Sequence, residues 1–269
     1  MRCRDGAASD GAACPGPVPL LSVMVCPITR RQCVSMVVEA LERGRGGWII
    51  TPNLDHVRRC SHDVRYAEAM VHADLRVADG MPLIWASRLR GASLPERVAG
   101  SDLIWLLSEG LAGRGRSVYL LGGEPGTAET AAEVLRRTYP GLAIAGTCCP
   151  PMGFERDDRQ MRAVQAGLLA ARPDLVFVAL GSPKQEYLIQ DLRSLLPATW
   201  WIGVGISFSF VCGHVRRAPG WMQWCGLEWV HRLAQEPGRL ASRYLLHGVP
   251  FGLRFLLHSL LRRPCGPSA

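Results

Sequence analysis

The sequence has 269 residues, of which 48% are apolar and 20% are charged. This length and composition are typical of one large globular domain, or of one domain with an appendage. They exclude a wholly disordered, collagen-like or coiled-coil chain. The sequence contains no uninterrupted apolar stretch of about 18 residues, so a conventional membrane-spanning helix is not expected.

The charge is positive and unevenly distributed. The net charge is +8, and Lys184 is the only lysine, so nearly all of the positive charge is arginine. The segment from His214 to the end contains eight arginines and two acidic residues, and therefore carries +6 of the total. A basic segment of this kind favours a phosphate-rich partner: nucleic acid, an anionic membrane or a diphosphate substrate.

Residues 1–19 are rich in glycine, alanine and proline and have no continuous apolar stretch. They are predicted to form a flexible lead-in, not a secretion signal. The ten cysteines are scattered and none lies in a CxxC motif, so a structural zinc site is not expected. The cysteines are therefore predicted to be reduced thiols of a cytosolic protein.

Short apolar runs alternate with longer amphipathic runs through residues 20–213, which are predicted to be the core. The predicted strands are 20–26, 48–51, 75–78, 117–121, 142–145, 175–180 and 200–204. The predicted helices are about 31–43, 55–72, 101–112, 125–138, 157–171 and 184–195. This alternation indicates an α/β fold with a mostly parallel sheet and helices on both faces. Ligands of such a sheet bind where the carboxyl ends of its strands meet.

Residues 214–269 are predicted to form a separate helical appendage. Three of the eight tryptophans fall within nine residues here: Trp221, Trp224 and Trp229. A helical pattern then continues to about residue 263, with a break or kink near residues 248–250. Its last part has leucines on one face and basic residues on the other, which is typical either of a helix packed on the core or of one lying on a membrane. The joint accumulation of tryptophan and arginine favours the membrane.

Polar residues follow the second and third predicted strands. Thr51 and Asn53 offer a hydroxyl and an amide to a ligand, or else they form a turn with a cap for the next helix. Asp79 follows the third strand, where a carboxylate can act as a general base or simply cap the following helix. Gly80 would allow a sharp turn beside it.

Two glycine turns raise the alternative of an NAD(P)-binding oxidoreductase. Gly122, Gly123 and Gly126 follow the fourth strand, but their order is GGxxG and not the dinucleotide-binding GxGxxG. Gly203 and Gly205 form a second GxG, in which Phe208 takes the place of the third glycine. Both turns are weak signals, compatible with any phosphate or nucleotide, and no ribose-binding acid stands at the expected distance.

Sugar and diphosphate binding are suggested by other polar residues. Gln185, after the sixth predicted strand, can hydrogen-bond sugar hydroxyls. No DxD metal motif follows a predicted strand. If the substrate has a nucleotide-diphosphate leaving group, arginine must neutralise it, because the guanidinium fork binds phosphate oxygens in pairs. Arg97, Arg216 and Arg217 are the candidates, and each could instead form a surface ion pair.

Seven motifs occur in order: TPNLDHV, VADGMPLIWASRLRG, ERVAGSDL, VYLLGGEPGTAE, PDLVFVALGSPKQE, GVGISFSFVCGHVRRAP and GLEWVHRLAQEPGRLASRYL. Together they resemble the WecG/TagA/CpsF family of bacterial glycosyltransferases, glycosyltransferase family 26. The resemblance covers roughly residues 20–250. It implies a Rossmann-like core that needs no metal or other cofactor. It also implies that the C-terminal appendage helps to form the active site and contacts the membrane.

The resemblance further implies an inverting hexosyltransferase of cell-surface or exopolysaccharide biosynthesis. Such an enzyme moves a sugar from a UDP-sugar to a sugar on polyprenyl diphosphate and forms a β-linkage. The donor could be glucose, N-acetylmannosamine or its uronic acid. The protein would be cytoplasmic, peripherally associated with the inner face of the cytoplasmic membrane. Nucleic-acid binding is not expected, because tryptophan and leucine accompany the arginines on apolar helical faces.

Individual positions follow from the same resemblance. Asp79 matches the family's proposed catalytic base. The matching polar pocket residues are Thr51, Asn53 and Gln185, and the matching basic residues are Arg217, Arg232, Arg239 and Arg243. Ser209 stands where the family commonly has an aspartate, a departure that bears on the identity of the donor.

Overall fold

The structure is a computed structural model that describes residues 16–262, apart from the side chains of Arg239 and Arg243. Most of the predicted lead-in, residues 1–15, lies outside the described residues, as do residues 263–269. Among the helices of residues 16–262, none combines the length and the apolar character needed to span a bilayer.

The described residues contain one large parallel sheet, flanked by helices. The strands are β1 Val18–Leu20, β2 Val23–Val25, β3 Gly47–Ile50, β4 Leu75–Arg76, β5 Ser117–Gly122, β6 Ala143–Cys148, β7 Leu175–Ala179 and β8 Trp200–Gly203. Six of these strands form the parallel sheet, in the order β4-β3-β8-β7-β5-β6. The predicted α/β fold is therefore confirmed. The carboxyl ends of β4, β3 and β8 are neighbours, so the segments that follow these strands lie close together.

The helices of the core alternate with its strands. They are α1 Arg30–Glu42, α2 Leu54–Cys60, α3 Val64–His72, α4 Met81–Leu89, α5 Gly100–Ala112, α6 Thr127–Thr138, α7 Asp158–Ala171, α8 Lys184–Leu192 and α9 Ser207–Val211, with 3-10 turns at Phe154–Arg156 and Arg193–Leu195. The C-terminal helices are α10 Gly220–Trp224, α11 Glu228–Gln235, α12 Pro237–Ala241 and α13 Val249–Leu261, with a π-helical segment at Ser242–Gly248.

The core lies on both faces of the sheet. Along β3, Trp48 and Ile50 pack into one buried cluster, whereas Ile49 packs into the other. A strand covered on both faces reads as a continuous apolar run, which is why β3 and β7 are recognisable without alternation.

The first predicted strand, 20–26, is wrong as a strand of the main sheet. These residues belong instead to an antiparallel hairpin in which β1 pairs with β2, and Leu21 in its turn has a φ of +53°. The hairpin is fixed to the edge strand β4 by Arg76. The buried Arg76 guanidinium donates to backbone carbonyls of β2, of α3 and of the turn after α3: Met24, Met70, Val71 and Ala73.

Two helical predictions also need correction. The predicted helix 55–72 is two helices, because the Asp63 carboxylate accepts a hydrogen bond from the Tyr66 amide and caps a new helix there. Helix α4 was not predicted at all. Its buried residues, Leu83, Ile84, Ala86 and Ser87, share one face, but further apolar residues such as Met81 and Trp85 leave no polar face from which an amphipathic helix is recognised.

The appendage packs on the core through its last helix. Phe255 of α13 is buried in the cluster that also contains Leu83 and Ile84 of α4. The leucine face behaves differently: 66% of Leu253 and 57% of Leu257 are exposed. The helix therefore packs on the core with one side and leaves an apolar side in solvent, and its contact with a membrane stays a prediction.

Candidate functional site

Asp79 lies at the exit of β4, at the edge where the sheet's carboxyl ends meet. Its backbone N–H donates to the Pro52 carbonyl at 2.8 Å, which ties the exits of β3 and β4 together. The cap position of α4 is Gly80, which has a φ of +117° and no side-chain cap hydrogen bond. The interpretation of Asp79 as a helix cap is therefore wrong, and its carboxylate is directed to other partners.

Arg97 is the main neighbour of Asp79. Its Nη1 lies 4.0 Å from Asp79 Oδ1 and 2.6 Å from Glu228 Oε2, so one nitrogen faces two carboxylates. Its Nη2 donates to Gln223 Oε1 at 3.0 Å and lies 3.6 Å from Asp102 Oδ2. Gln223 and Glu228 belong to the appendage, so Arg97 joins the appendage to the core beside Asp79.

Arg217 completes this cluster, and Asp79, Arg97, Asp102, Arg217 and Glu228 are called the site network below. Its Nη1 donates to Asp102 Oδ1 at 2.5 Å, and its Nε lies 3.6 Å from Glu228 Oε1. Its Nη2 is buried and has no hydrogen-bond partner among the described residues. A buried guanidinium N–H without an acceptor is costly, so this donor is suited to an anionic ligand.

Asp102 reaches the site network because α5 begins unusually close to the sheet. A methyl group on Gly100 would lie 3.3 Å from the Gly203 carbonyl and 3.5 Å from Thr51 Oγ1. A Cβ at this position would therefore be tightly packed where the first turn of α5 approaches the exits of β3 and β8. Arg30 approaches Asp102 as well, with Nη1 3.8 Å from Oδ2.

The surroundings of Asp79 alter its acidity. Burial raises the pKa of the Asp79 carboxyl to about 7, although 28% of the side chain remains exposed. Arg97 and Arg217 lower this pKa, while the negative charges of Glu228 and Asp102 raise it. A carboxyl that titrates near neutral pH is suited to accept a proton from a hydroxyl.

Thr51 and Asn53 lie near Asp79, but the structure gives Asn53 a structural task. Its Oδ1 accepts hydrogen bonds from the amides of Asp55 and His56 and caps α2. Its Cβ is 3.9 Å from the place that a Cβ on Gly80 would occupy, so it borders the Asp79 turn. Thr51 is buried beside Gly100. Both remain predictions as pocket residues.

Gln185 is buried between two strand exits. Its Nε2 donates to Glu186 Oε1 at 2.8 Å, and its Oε1 accepts from the Gly205 amide at 3.1 Å. These bonds fix the amide and link the first turn of α8 to the loop after β8. The binding of a sugar hydroxyl by Gln185 remains a prediction.

Gly203→Ala is expected to destabilise the protein, because the new Cβ would lie 2.4 Å from Gln185 Nε2. The buried amide must then break its two hydrogen bonds, and overpacking of this kind costs about 1–3 kcal/mol. Urea unfolding measures the loss. Gly238→Ala is the matched control, because a Cβ there meets no described atom within 4 Å. Equal stability of the two variants would contradict this role of Gln185.

The glycine turns that suggested a dinucleotide have a packing explanation. A Cβ on Gly122 would lie 2.8 Å from the Leu180 side chain, and one on Gly123 would lie 2.4 Å from Thr127 Oγ1. Both glycines also have positive φ, which few other residues adopt. The turn therefore requires these glycines whether or not a phosphate binds.

The remaining predicted site residues differ in their burial and in how much of them the structure describes. Arg232 follows Glu228 by one turn on α11, so both lie on one helical face. The side chains of Arg239 and Arg243 lie outside the described residues. The Arg216 side chain is exposed. Ser209 is buried in α9, and its carbonyl accepts from the Val215 amide at 3.2 Å.

Sequence reasoning missed three residues of this site: Asp102, Gln223 and Glu228. Asp102 lies within the quoted ERVAGSDL motif and Glu228 within GLEWVHRLAQEP, but neither was singled out. For Glu228 a signal existed, because it is one of only two acids in a strongly basic segment. For Gln223 no local pattern indicates the contact.

Comparison with known proteins shows what the chain is similar to. The family described as "Glycosyl transferase WecG/TagA/CpsF family" matches residues 18–265. The chain is also similar to the N-acetylglucosaminyldiphosphoundecaprenol N-acetyl-beta-D-mannosaminyltransferase of Bacillus spizizenii. The two sequences are 33% identical over 199 residues, which is 74% of this chain and 75% of that protein.

Proposed function

Because the chain belongs to the glycosyl transferase WecG/TagA/CpsF family, we propose that it transfers a sugar from a UDP-sugar to a sugar carried on polyprenyl diphosphate. The new bond is a β-linkage, formed by a single displacement with inversion. The reaction belongs to the synthesis of a cell-surface polysaccharide.

The observation that carries this proposal is the site network. It places a carboxyl that titrates near neutral pH beside two guanidinium groups at the edge where the strands end. A hydroxyl nucleophile needs a base, and a diphosphate leaving group needs positive charge. Both requirements are met by residues that the fold brings together from the core and the appendage.

In this mechanism Asp79 takes the proton from the acceptor hydroxyl as its oxygen attacks the anomeric carbon of the donor. The bond to the UDP oxygen breaks on the opposite face, and the electron pair leaves with UDP. The Arg217 Nη2 donor is buried and unpartnered among the described residues, and we assign it to the leaving diphosphate. Arg97 is held by acidic partners and acts mainly on Asp79.

We propose that the reaction needs no metal ion. The arginines of the site network supply the positive charge that a divalent cation would otherwise bring to the diphosphate. In the part of the chain that the structure describes, no group of three or more His, Cys, Asp or Glu side chains could hold a metal ion. Activity in the presence of EDTA tests this part of the proposal.

The lipid-linked acceptor requires that the enzyme meet a membrane surface. The exposed apolar residues of the appendage include Trp221, Trp224, Leu253 and Leu257, and Arg254 lies among them. Tryptophan, leucine and arginine on one segment suit the interface of an anionic bilayer. We propose that this surface rests on the cytoplasmic face of the membrane and places the site network near the acceptor.

Leu253→Ser combined with Leu257→Ser is expected to weaken binding to anionic vesicles at least about tenfold, because each buried leucine contributes about 1.5–3 kcal/mol. Vesicle sedimentation measures this change. Val64→Ser combined with Val71→Ser is the matched control, because these α3 residues are 76% and 56% exposed but lie outside the appendage. If both double variants bind like the unchanged protein, the appendage is not the membrane contact.

The proposal as a whole is tested by UDP release from a panel of UDP-sugars. The acceptor is a short-chain polyprenyl diphosphate carrying N-acetylglucosamine, and UDP-N-acetylmannosamine is the first donor, as the name of the Bacillus relative suggests. The expected result is that one donor releases UDP and that this release requires the acceptor. No release with any donor, even with vesicles present, would overturn the proposal.

A further inference from the structure

Glu228 is an acidic residue of the appendage that contacts the surroundings of Asp79 in the site network. Its Oε2 lies 2.6 Å from Arg97 Nη1, and its Oε1 lies 3.6 Å from Arg217 Nε. The Arg97 side chain is mostly buried, so its charge is not screened as a surface charge would be. Glu228 therefore makes the shortest contact that holds the Arg97 guanidinium, beside the contacts from Gln223 and Asp102.

Arg97 Nη1 faces Glu228 at 2.6 Å and Asp79 at 4.0 Å. The short contact belongs to Glu228, so Arg97 is held away from a close pair with Asp79. If Glu228 were absent, Arg97 could close on Asp79 and stabilise its ionised form. A carboxylate stabilised in this way is a weaker base.

From these contacts we infer that Glu228 is a positioning residue: it holds Arg97 back from Asp79, and the placement of the appendage thereby controls how strongly Asp79 accepts a proton. This inference rests on the proposed role of Asp79 as the base. It adds that Glu228, a residue of the appendage, sets the strength of a base that belongs to the core.

The charged groups that face Asp79 act on its pKa in opposite directions. Glu228 and Asp102 raise the pKa of Asp79, whereas Arg97 and Arg217 lower it. Arg30 lies beyond Asp102, 3.8 Å from its carboxylate. Loss of the Glu228 charge therefore removes a negative charge that raises the pKa of Asp79, and it frees Arg97 to approach Asp79. Both effects lower the pKa of Asp79.

The test is the dependence of kcat on pH for the full-length protein, between about pH 5.5 and 8.5. Glu228→Gln is expected to move the acid limb to lower pH by about half a unit or more. Glu228→Asp keeps the charge but draws it back by one methylene, and is expected to shift the limb less. Glu236→Gln makes the same charge change in the appendage, outside the site network, and should leave the limb in place.

An unmoved limb in Glu228→Gln, or an equal movement in Glu236→Gln, overturns the inference. If Glu228→Gln does not fold, the smaller shift of Glu228→Asp decides. If the unchanged protein has no transferase activity, the proposed function fails, and a second measurement still tests the inference. This measurement is the pH titration of the Asp79 carboxyl carbon-13 signal, which is assigned by its absence in Asp79→Asn. The midpoint of the titration should lie at lower pH in Glu228→Gln. An unchanged midpoint overturns the inference.

Discussion

Asp79→Asn lowers turnover at least about 100-fold, because an amide cannot accept the proton of the acceptor hydroxyl. Asparagine has nearly the same shape as aspartate and resembles its protonated form. The backbone bond from residue 79 to the Pro52 carbonyl does not involve the side chain and should persist. The loss is therefore expected in kcat, with the fold intact.

The same variant is expected to be more stable than the unchanged protein at pH 8. The pKa of Asp79 rises from an ordinary 3.8 to about 7 on folding, mainly through burial. Its favourable contribution is therefore fully present at low pH and is lost as pH rises towards 7. At pH 8 the folded protein holds an ionised, largely buried carboxylate, a cost on the order of a few kcal/mol that asparagine avoids.

Both effects can be measured on one preparation. Thermal unfolding at pH 5 and pH 8 compares the free energy of unfolding of Asp79→Asn with that of the unchanged protein. The variant should be the more stable of the two, mainly at pH 8. Asp191→Asn is the control, because Asp191 is exposed and forms only a surface ion pair with Arg65. Near-normal turnover in Asp79→Asn would show that Asp79 is not the base. If Asp79→Asn and the unchanged protein are equally stable at each pH, the raised pKa of Asp79 is contradicted.

Arg217→Ala is expected to lower kcat/KM about 100-fold. The leaving diphosphate would lose the buried Nη2 donor, and a single well-placed donor of this kind is worth about 2.7–4 kcal/mol in the transition state. UDP should also bind more weakly, since the diphosphate is present in the product. Steady-state kinetics and calorimetric titration with UDP measure the two changes.

Arg216→Ala is the matched control for this variant. It removes the same side chain from the adjacent position, where the arginine is exposed and contributes through long-range charge at most. Its kinetics should stay close to those of the unchanged protein. Equal losses in the two variants would show that the segment needs positive charge in general and not the Arg217 guanidinium in particular.

The sequence was sufficient to predict the parallel sheet and the position of Asp79 at a strand exit, because both depend on local patterns. A buried strand followed by a polar residue is visible in a short window, as at Leu75–Arg76 and Asp79. Arg97 and Arg217 could be named as candidates from residue type alone. Their partners could not: the Arg97–Glu228 contact joins residues 131 positions apart and depends on how the appendage folds back.

The errors in the fold have equally specific causes. The hairpin of β1 and β2 was taken for one strand because its turn contains Leu21 in a left-handed conformation, where glycine or asparagine would have marked it. Asp63 divides a helical pattern by capping, which the apolar spacing does not reveal. Asn53 was read correctly as a possible cap, and the structure shows that its oxygen caps α2.

Arg76 has a consequence for how the protein opens. Its guanidinium binds four carbonyls from the hairpin, from α3 and from the turn after it, and its own carbonyl accepts from the Cys26 amide. Detaching any one of these segments would leave part of the buried Arg76 charge without hydrogen-bond partners, and no accessible pH can neutralise this charge. The hairpin, the end of α3 and the edge strand should therefore exchange their amide hydrogens together, as one cooperative unit adjoining the Asp79 turn.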